Sequence, residues 1–194
     1  MDNGSSVRTP QVVESRLGNS PLKSIYEPSI GLSIARNTRA RVAKGNVLAY
    51  LDDDAVASDQ WLQLLYAAYQ EQPKWAFAGG KVNLIFPPGV ETPKWLSPEL
   101  AVNLGPYDLG DNFVYIENPG STPRGLNYSI RRSFLKQIGG LDPHLGRIGK
   151  KLLSNEELLM SELALKQGLQ VAYLRNAVVA HHLALERLQP SWFL

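Results

Sequence analysis

Three consecutive carboxylates, Asp52-Asp53-Asp54, close a short apolar run. Neighbouring like charges raise one another's pKa unless positive charge lies between them. The triplet therefore suits an oxygen-coordinated divalent ion, Mg²⁺ or Mn²⁺, that bridges to phosphates. The competing reading is an acidic turn ahead of a helix. Glu156-Glu157 opens a second segment of interest. A carboxylate there serves as a general base toward a hydroxyl, but Ser154 and Glu157 also match the Ser-x-x-Glu capping box, and acids favour a helix N-terminus in any case. On local pattern alone the cap is favoured. His181-His182 ends another apolar run, either as a metal ligand or as a plain surface histidine. Arg36-Asn37, near a helix start, combines a guanidinium with free backbone N–H groups, a pairing that suits phosphate and is otherwise a solvated helix face.

These residues need elements to carry them. Ser33 to Ala43 reads as a helix stopped by Gly45, and Val47 to Leu51 as a strand buried on both faces, delivering Asp52 to Asp54 at its carboxyl end. In open α/β sheets that is where ligands bind. Ser58 is the expected cap of a helix with Trp61, Leu64, Leu65, Ala68 and Tyr69 on its apolar face, closed by Pro73. Trp75 to Phe86 reads as one strand or a pair broken at Gly79-Gly80, and the proline-rich Pro87 to Pro98 as a loop. Short elements follow: a strand over Gly125 to Ile130 and a helix over Arg132 to Ile138. Ser154 to Gln167 is a helix ended by Gly168, and Val171 to Leu174 and Ala177 to Ala180 are strand-like. Alternating strands and helices predict an α/β fold with a mostly parallel sheet.

The 194 residues suffice for one domain with a core. A net charge of +2 excludes a global field that demands nucleic acid, and Arg131-Arg132 and Lys150-Lys151 are only short basic pairs. The absence of cysteine excludes disulfides, zinc–thiolate sites and thiol nucleophiles. Apolar runs fall far short of the roughly 20 residues a membrane span needs, and no secretion-signal pattern opens the chain. The expectation is a soluble protein.

In their order the motifs carry more than each does alone. Gly31-x-x-x-Ala35-Arg36-Asn37, then Val47 to Asp54, Gly125-Leu126-Asn127, Gly139-Gly140-Leu141-Asp142, Asn155-Glu156-Glu157 and Ala177 to His182 resemble the glycosyltransferases of family 2. The opening Asp2-Asn3-Gly4-Ser5 is similar to the turn after that family's second strand. The resemblance implies a GT-A-like three-layer sandwich and metal-assisted transfer of a sugar from a nucleotide-diphosphate sugar, with inversion, to a saccharide or lipid-linked acceptor, in the service of cell-envelope polysaccharide. It implies Glu157 and Glu156 at the base position, with glutamate where the family usually has aspartate. It gives the nucleotide-sugar to Asp2, Arg36, Asn37, Asp52, Asp53 and Asn127, with Asp2 reading the base and Arg36 beside it. Asp54 and His181 are the implied ligands of Mg²⁺ or Mn²⁺. It further implies a cytoplasmic site of action, peripheral at the inner face of the membrane, without a spanning segment.

Against the family pattern, residues 1–194 form one domain lacking the first strand, helix and second strand in front and a helix behind Trp192-Phe193. The expectation is then a fragment or a shortened protein that borrows surface from a partner, with self-association through an open sheet edge. Two rivals stand beside catalysis: a non-catalytic remnant that binds nucleotide, sugar or a partner, and a nucleotidyltransferase, for which the Gly-rich phosphate loop is missing.

Overall fold

The computed structural model describes residues 2–4, 9–17, 23–146 and 156–193. In chain order its elements are α1 (Thr9–Leu17), α2 (Leu32–Val42), β1 (Val47–Leu51), β2 (Ala55–Ala57), α3 (Trp61–Glu71), β3 (Trp75–Ile85), α4 (Pro98–Ala101), β4 (Val114–Tyr115), β5 (Asn127–Arg131), α5 (Arg132–Gln137), α6 (Glu156–Lys166) and β6 (Gln170–His182). The opening is tied to the start of α2. Asp2 bridges Tyr26 in parallel, and the Asn3 amide donates to the carbonyls of Glu27 (2.9 Å) and Ser29 (2.8 Å) and accepts from Gly31 N (3.0 Å).

The six strands run in the order β1-β5-β3-β6-β2, with β4 also on β6. β6 is long enough, at 13 residues, to take two partners along one edge: β4 at Ala172 and Tyr173, then β2 at Val179 to His181. Ala78, Ser129 and Ala172 share a register, and the Tyr69 hydroxyl donates to the Ser129 carbonyl (2.9 Å), which sets α3 on that face. Alternation turns their neighbours Phe77, Ile130 and Val171 to the other face, into the cluster of Phe134, Met160 and Ala164 from α5 and α6. Helices therefore cover both faces, the three layers expected.

The mostly parallel sheet is corrected. β3 and β6 are parallel, but β1–β5, β3–β5, β2–β6 and β4–β6 are all antiparallel. β1 and β3 do run the same way, as a strand–helix–strand crossover requires. β5 then enters between them in the opposite sense. Its direction is set by a long irregular approach that has no periodicity to read.

Other elements differ in detail. Trp75–Ile85 is a single strand through both glycines, with a register shift near Gly80. The two strand-like stretches near the end are one strand. Ser58 does not cap α3 with its side chain, because the helix begins at Trp61 with Gln60 at the N-cap position. The Ser58 carbonyl accepts from Trp61 N (2.9 Å), and its N–H continues the pairing of β2 to Val178 O (3.0 Å). α6 ends at a left-handed Gly168 (φ 70°), and Leu169 N folds back onto Ala164 O (3.0 Å). The proposed capping residue Ser154, Asn155 of the Asn-Glu-Glu motif, Ser5 and Lys150-Lys151 lie outside the described residues.

Candidate active site

β1 and β6 bring Asp52–Asp54 and His181 to one end of the sheet, and the antiparallel β5 starts there, since Leu51 pairs with Asn127. Arg124, Gly125 and Leu126 thus stand beside the strand-end acids. The result is a cleft of about 660 Å³ lined by Arg36, Asp52, Asp53, Arg124, Glu157, His181 and Arg187 among its polar groups. Leu100, Val102, Leu104, Leu126, Trp192 and Phe193 supply apolar wall.

Arg36, buried on α2, organises one side. Its Nη1 donates to Glu156, and to Glu157 Oε1 at 3.1 Å; its Nη2 donates to Gly125 O at 2.6 Å and pairs with Asp52 Oδ1 at 3.5 Å. The guanidinium lies 5.2 Å from the Tyr128 ring centroid and 5.9 Å from that of Tyr50, two rings that stack on each other. Burial works against the Arg36 charge, but Tyr128, Glu157, Glu156 and Asp52 outweigh it and its pKa is raised. Ser33 donates to Glu156 Oε2 (2.7 Å), so Glu156 is fully engaged on the protein side. Glu157 reaches the cleft. Burial raises its pKa above the ordinary 4.5, with Arg36 pulling it down and Glu156 adding to the rise. Burial is the largest of these effects, and the proton affinity of Glu157 follows from it.

Two glycines frame the pair. A Cβ on Gly125 would stand 2.1 Å from Glu157 Oε1, and one on Gly146 2.1 Å from Ser33 Oγ and 2.6 Å from Glu156 Oε2. The carboxylates lie against bare backbone because no side chain fits.

The other side centres on His181, which is 3% exposed. Its Nε2 lies 3.2 Å from Asp54 Oδ2 and 3.1 Å from Arg187 Nη1, while Arg187 Nη2 donates to Asp54 Oδ2 at 3.2 Å. One ring nitrogen cannot donate to a carboxylate and accept from a guanidinium at once. The buried Nδ1 has no hydrogen-bond partner. The hydrogen bond from His181 and the nearby cations hold the Asp54 carboxyl below its ordinary value. Asp52 goes the other way. Although its side chain is 40% exposed, desolvation raises its pKa, opposed by Arg36 and reinforced by Asp54 and Asp53. Among the described residues no group of three or more acid or imidazole ligands surrounds a common point; Asp54 and His181 are a pair.

Of the expected residues, the cleft unites Arg36, Asp52, Asp53, Glu157 and His181, with Glu156 and Asp54 bonded directly behind them. Three stand apart from its lining. The Asn127 side chain is consumed inside the sheet, accepting from Trp61 Nε1 (2.9 Å) and donating to the carbonyls of Lys81 (3.1 Å) and Ala177 (2.9 Å). Asn37 clasps Leu141 through both its N–H and carbonyl, 2.8 Å each, and so holds the Gly139–Leu141 turn. Asp2 sits in its bridge to Tyr26. Sequence reasoning missed Arg187 and Arg124. Neither belongs to a periodic element or a charge run, and only Arg124's place before the Gly-Leu-Asn motif was a usable sign.

Comparison with known proteins agrees with this architecture. Residues 1–138 match the model of glycosyl transferase family 2, and the chain belongs to that family. It is 27% identical over 174 residues to the glucosyl-dolichyl phosphate glucuronosyltransferase of Haloferax volcanii, an alignment that covers 84% of this chain and 51% of the relative; the chain spans about half that protein's length. Its fold is similar to that of S. aureus TarS 1–349 solved with UDP-GlcNAc (TM-score 0.66, 16% identity, 94% of this chain and 48% of the other). It is similar as well to that of GalNAc-T7 solved with UDP, GalNAc and Mn²⁺ (TM-score 0.64, 20% identity, 91% and 35%). The α/β class with a GT-A-type sheet is thereby established.

Proposed function

We propose that the cleft transfers a sugar from a nucleotide-diphosphate sugar to an acceptor hydroxyl with inversion at the anomeric carbon. The observation that carries this reading is Arg36, one guanidinium that joins the strand-end acid Asp52 to the helix-start acids Glu156 and Glu157 across the cleft. The acceptor oxygen forms its bond to the anomeric carbon as the bond to the diphosphate breaks. The acceptor proton goes to the Glu157 carboxylate, whose proton affinity is raised by burial, the direction that favours a general base. Inversion needs a single displacement and no covalent nucleophile.

Asp54 and His181 fit a divalent ion. Their 3.2 Å separation is close to the roughly 3 Å edge of an octahedron with bonds of about 2.1 Å, and a cation there resolves the double demand on Nε2. Bound at that pair, Mg²⁺ or Mn²⁺ would supply positive charge to the leaving diphosphate. The neighbours solved with UDP-GlcNAc and with UDP and Mn²⁺ support a UDP-type donor. The name of the Haloferax relative supports a lipid-linked saccharide as acceptor, and with it action at the inner face of a membrane. No helix among the described residues is long and apolar enough to cross one.

Calorimetry with UDP and Mn²⁺ tests the assignment. The parent chain is expected to bind, and Asp54→Ala to lose most of the metal-dependent signal. Equal binding by variant and parent overturns the metal role of Asp54. Binding without any turnover in the parent would favour the non-catalytic remnant.

A further inference from the structure

The polar lining of the cleft holds three arginines. Arg36 is neutralised by Glu156, Glu157 and Asp52, and Arg187 by Asp54. Arg124 is different. No carboxylate among the described residues lies within ion-pair distance of it, its guanidinium rests over the Tyr107 ring at 5.7 Å, and its Nε–H is buried without an acceptor. A guanidinium is charged at every accessible pH, and a buried N–H left unpaired in a native structure marks a group waiting for a partner. Its place adds direction. Arg124 directly precedes Gly125, against which Glu157 packs, so the unmatched charge adjoins the base and lies on a different strand end from the Asp54–His181 pair.

We propose that Arg124 recognises an anionic oxygen group, a carboxylate or phosphate, carried by the sugar or the acceptor in addition to the donor's diphosphate. The planar fork of the guanidinium matches such a group with two parallel N–H···O bonds, and the Tyr107 face holds the fork in plane. A neutral hexose and a neutral acceptor would offer the Arg124 fork no anionic oxygen and leave it without an ion partner. The inference rests on the sugar-transfer reading of the site.

Two pairs of probes separate the sources of the anion. UDP-glucuronate against UDP-glucose tests a carboxylate on the donor sugar; octyl glucosyl phosphate against octyl glucoside tests a phosphate on the acceptor. Titrated into the parent, the anionic member of one pair should bind about tenfold tighter, the scale of one charge-assisted bidentate contact. Arg124→Gln should erase that preference, Arg124→Lys should retain part of it, and affinity for UDP itself should stay within about twofold. Unchanged melting of both variants shows that the loss is not one of folding. No preference in either pair by the parent overturns the proposal, as does a fall in UDP affinity in Arg124→Gln equal to that for the anionic probes, which would make Arg124 a diphosphate ligand. If the parent binds no UDP, it is the nucleotide-sugar reading that fails, and the octyl pair still decides Arg124.

Discussion

Arg36 and Glu157 define what a single side chain does here. The guanidinium is engaged by Glu156, Glu157, Asp52 and the Gly125 carbonyl, so it holds the carboxylate we propose as the base in place. Glu157 keeps one face to the cleft, and its raised pKa has a direct consequence for pH dependence. The base must be ionised to accept a proton, so kcat/KM should climb with pH along a limb displaced above the ordinary glutamate value of 4.5. The stability sign is opposite. Folded Glu157 holds its proton more tightly than unfolded Glu157, so its contribution is fully present below 4.5 and is lost as pH rises through the folded value. Glu157→Gln should lower turnover by about 10²–10⁴-fold and abolish that limb, and a pH–rate profile of both proteins checks it. Parental rate with parental melting would remove Glu157 from the chemistry and pass the role to Glu156.

At the scale of elements, β5 does most to build the site, because its antiparallel entry sets Arg124–Leu126 against Asp52. What was legible beforehand was whatever local pattern controls: α2, α3 and α6, and the strand ends that hold Asp52–Asp54 and His181. β1 was legible as a strand but not in its burial: it lies at the sheet edge with Ala49 and Leu51 exposed, where both faces were expected to be covered. The insertion of β5 was not legible, since strand order and sense come from long-range pairing that leaves no trace in a five-residue apolar run. Asn127 illustrates the limit. The motif was visible, but its amide closes a gap between β3, β6 and α3, and only the fold shows that. The parallel β3–β6 contact depends on Gly80, where a Cβ would lie 1.9 Å from the Ala177 carbonyl oxygen. Gly80→Ala must push two central strands apart and should remove about 3 kcal/mol, a fall in melting temperature of about 6–12 °C. Gly89→Ala, with a left-handed φ of 75° but nothing within 4 Å, is the control and should fall less. Circular dichroism melts compare them; a loss in Gly80→Ala no larger than that of the control would show that the strand contact tolerates a methyl.

Over the whole molecule, β1 ends the sheet with β5 on one side and, among the described residues, no strand on the other. Unpaired edge groups recruit other chains. Light scattering should therefore show mass rising with concentration, and Ala49→Lys, at an exposed position on that edge, should suppress the rise without lowering the melting temperature. A parent that stays monomeric throughout would show the edge to be covered.

Arg187 already sits on the acid that the proposed metal pair would use. If Asp54 and His181 hold a divalent ion, its binding would be an exchange with that guanidinium. Anchored in the 3₁₀ turn Leu185–Leu188, a few residues past His181, Arg187 would stay beside the cleft it lines, within reach of the negative charge a diphosphate would bring. It would then act as a reserve counter-ion, parked on Asp54 until a stronger cation claims that seat.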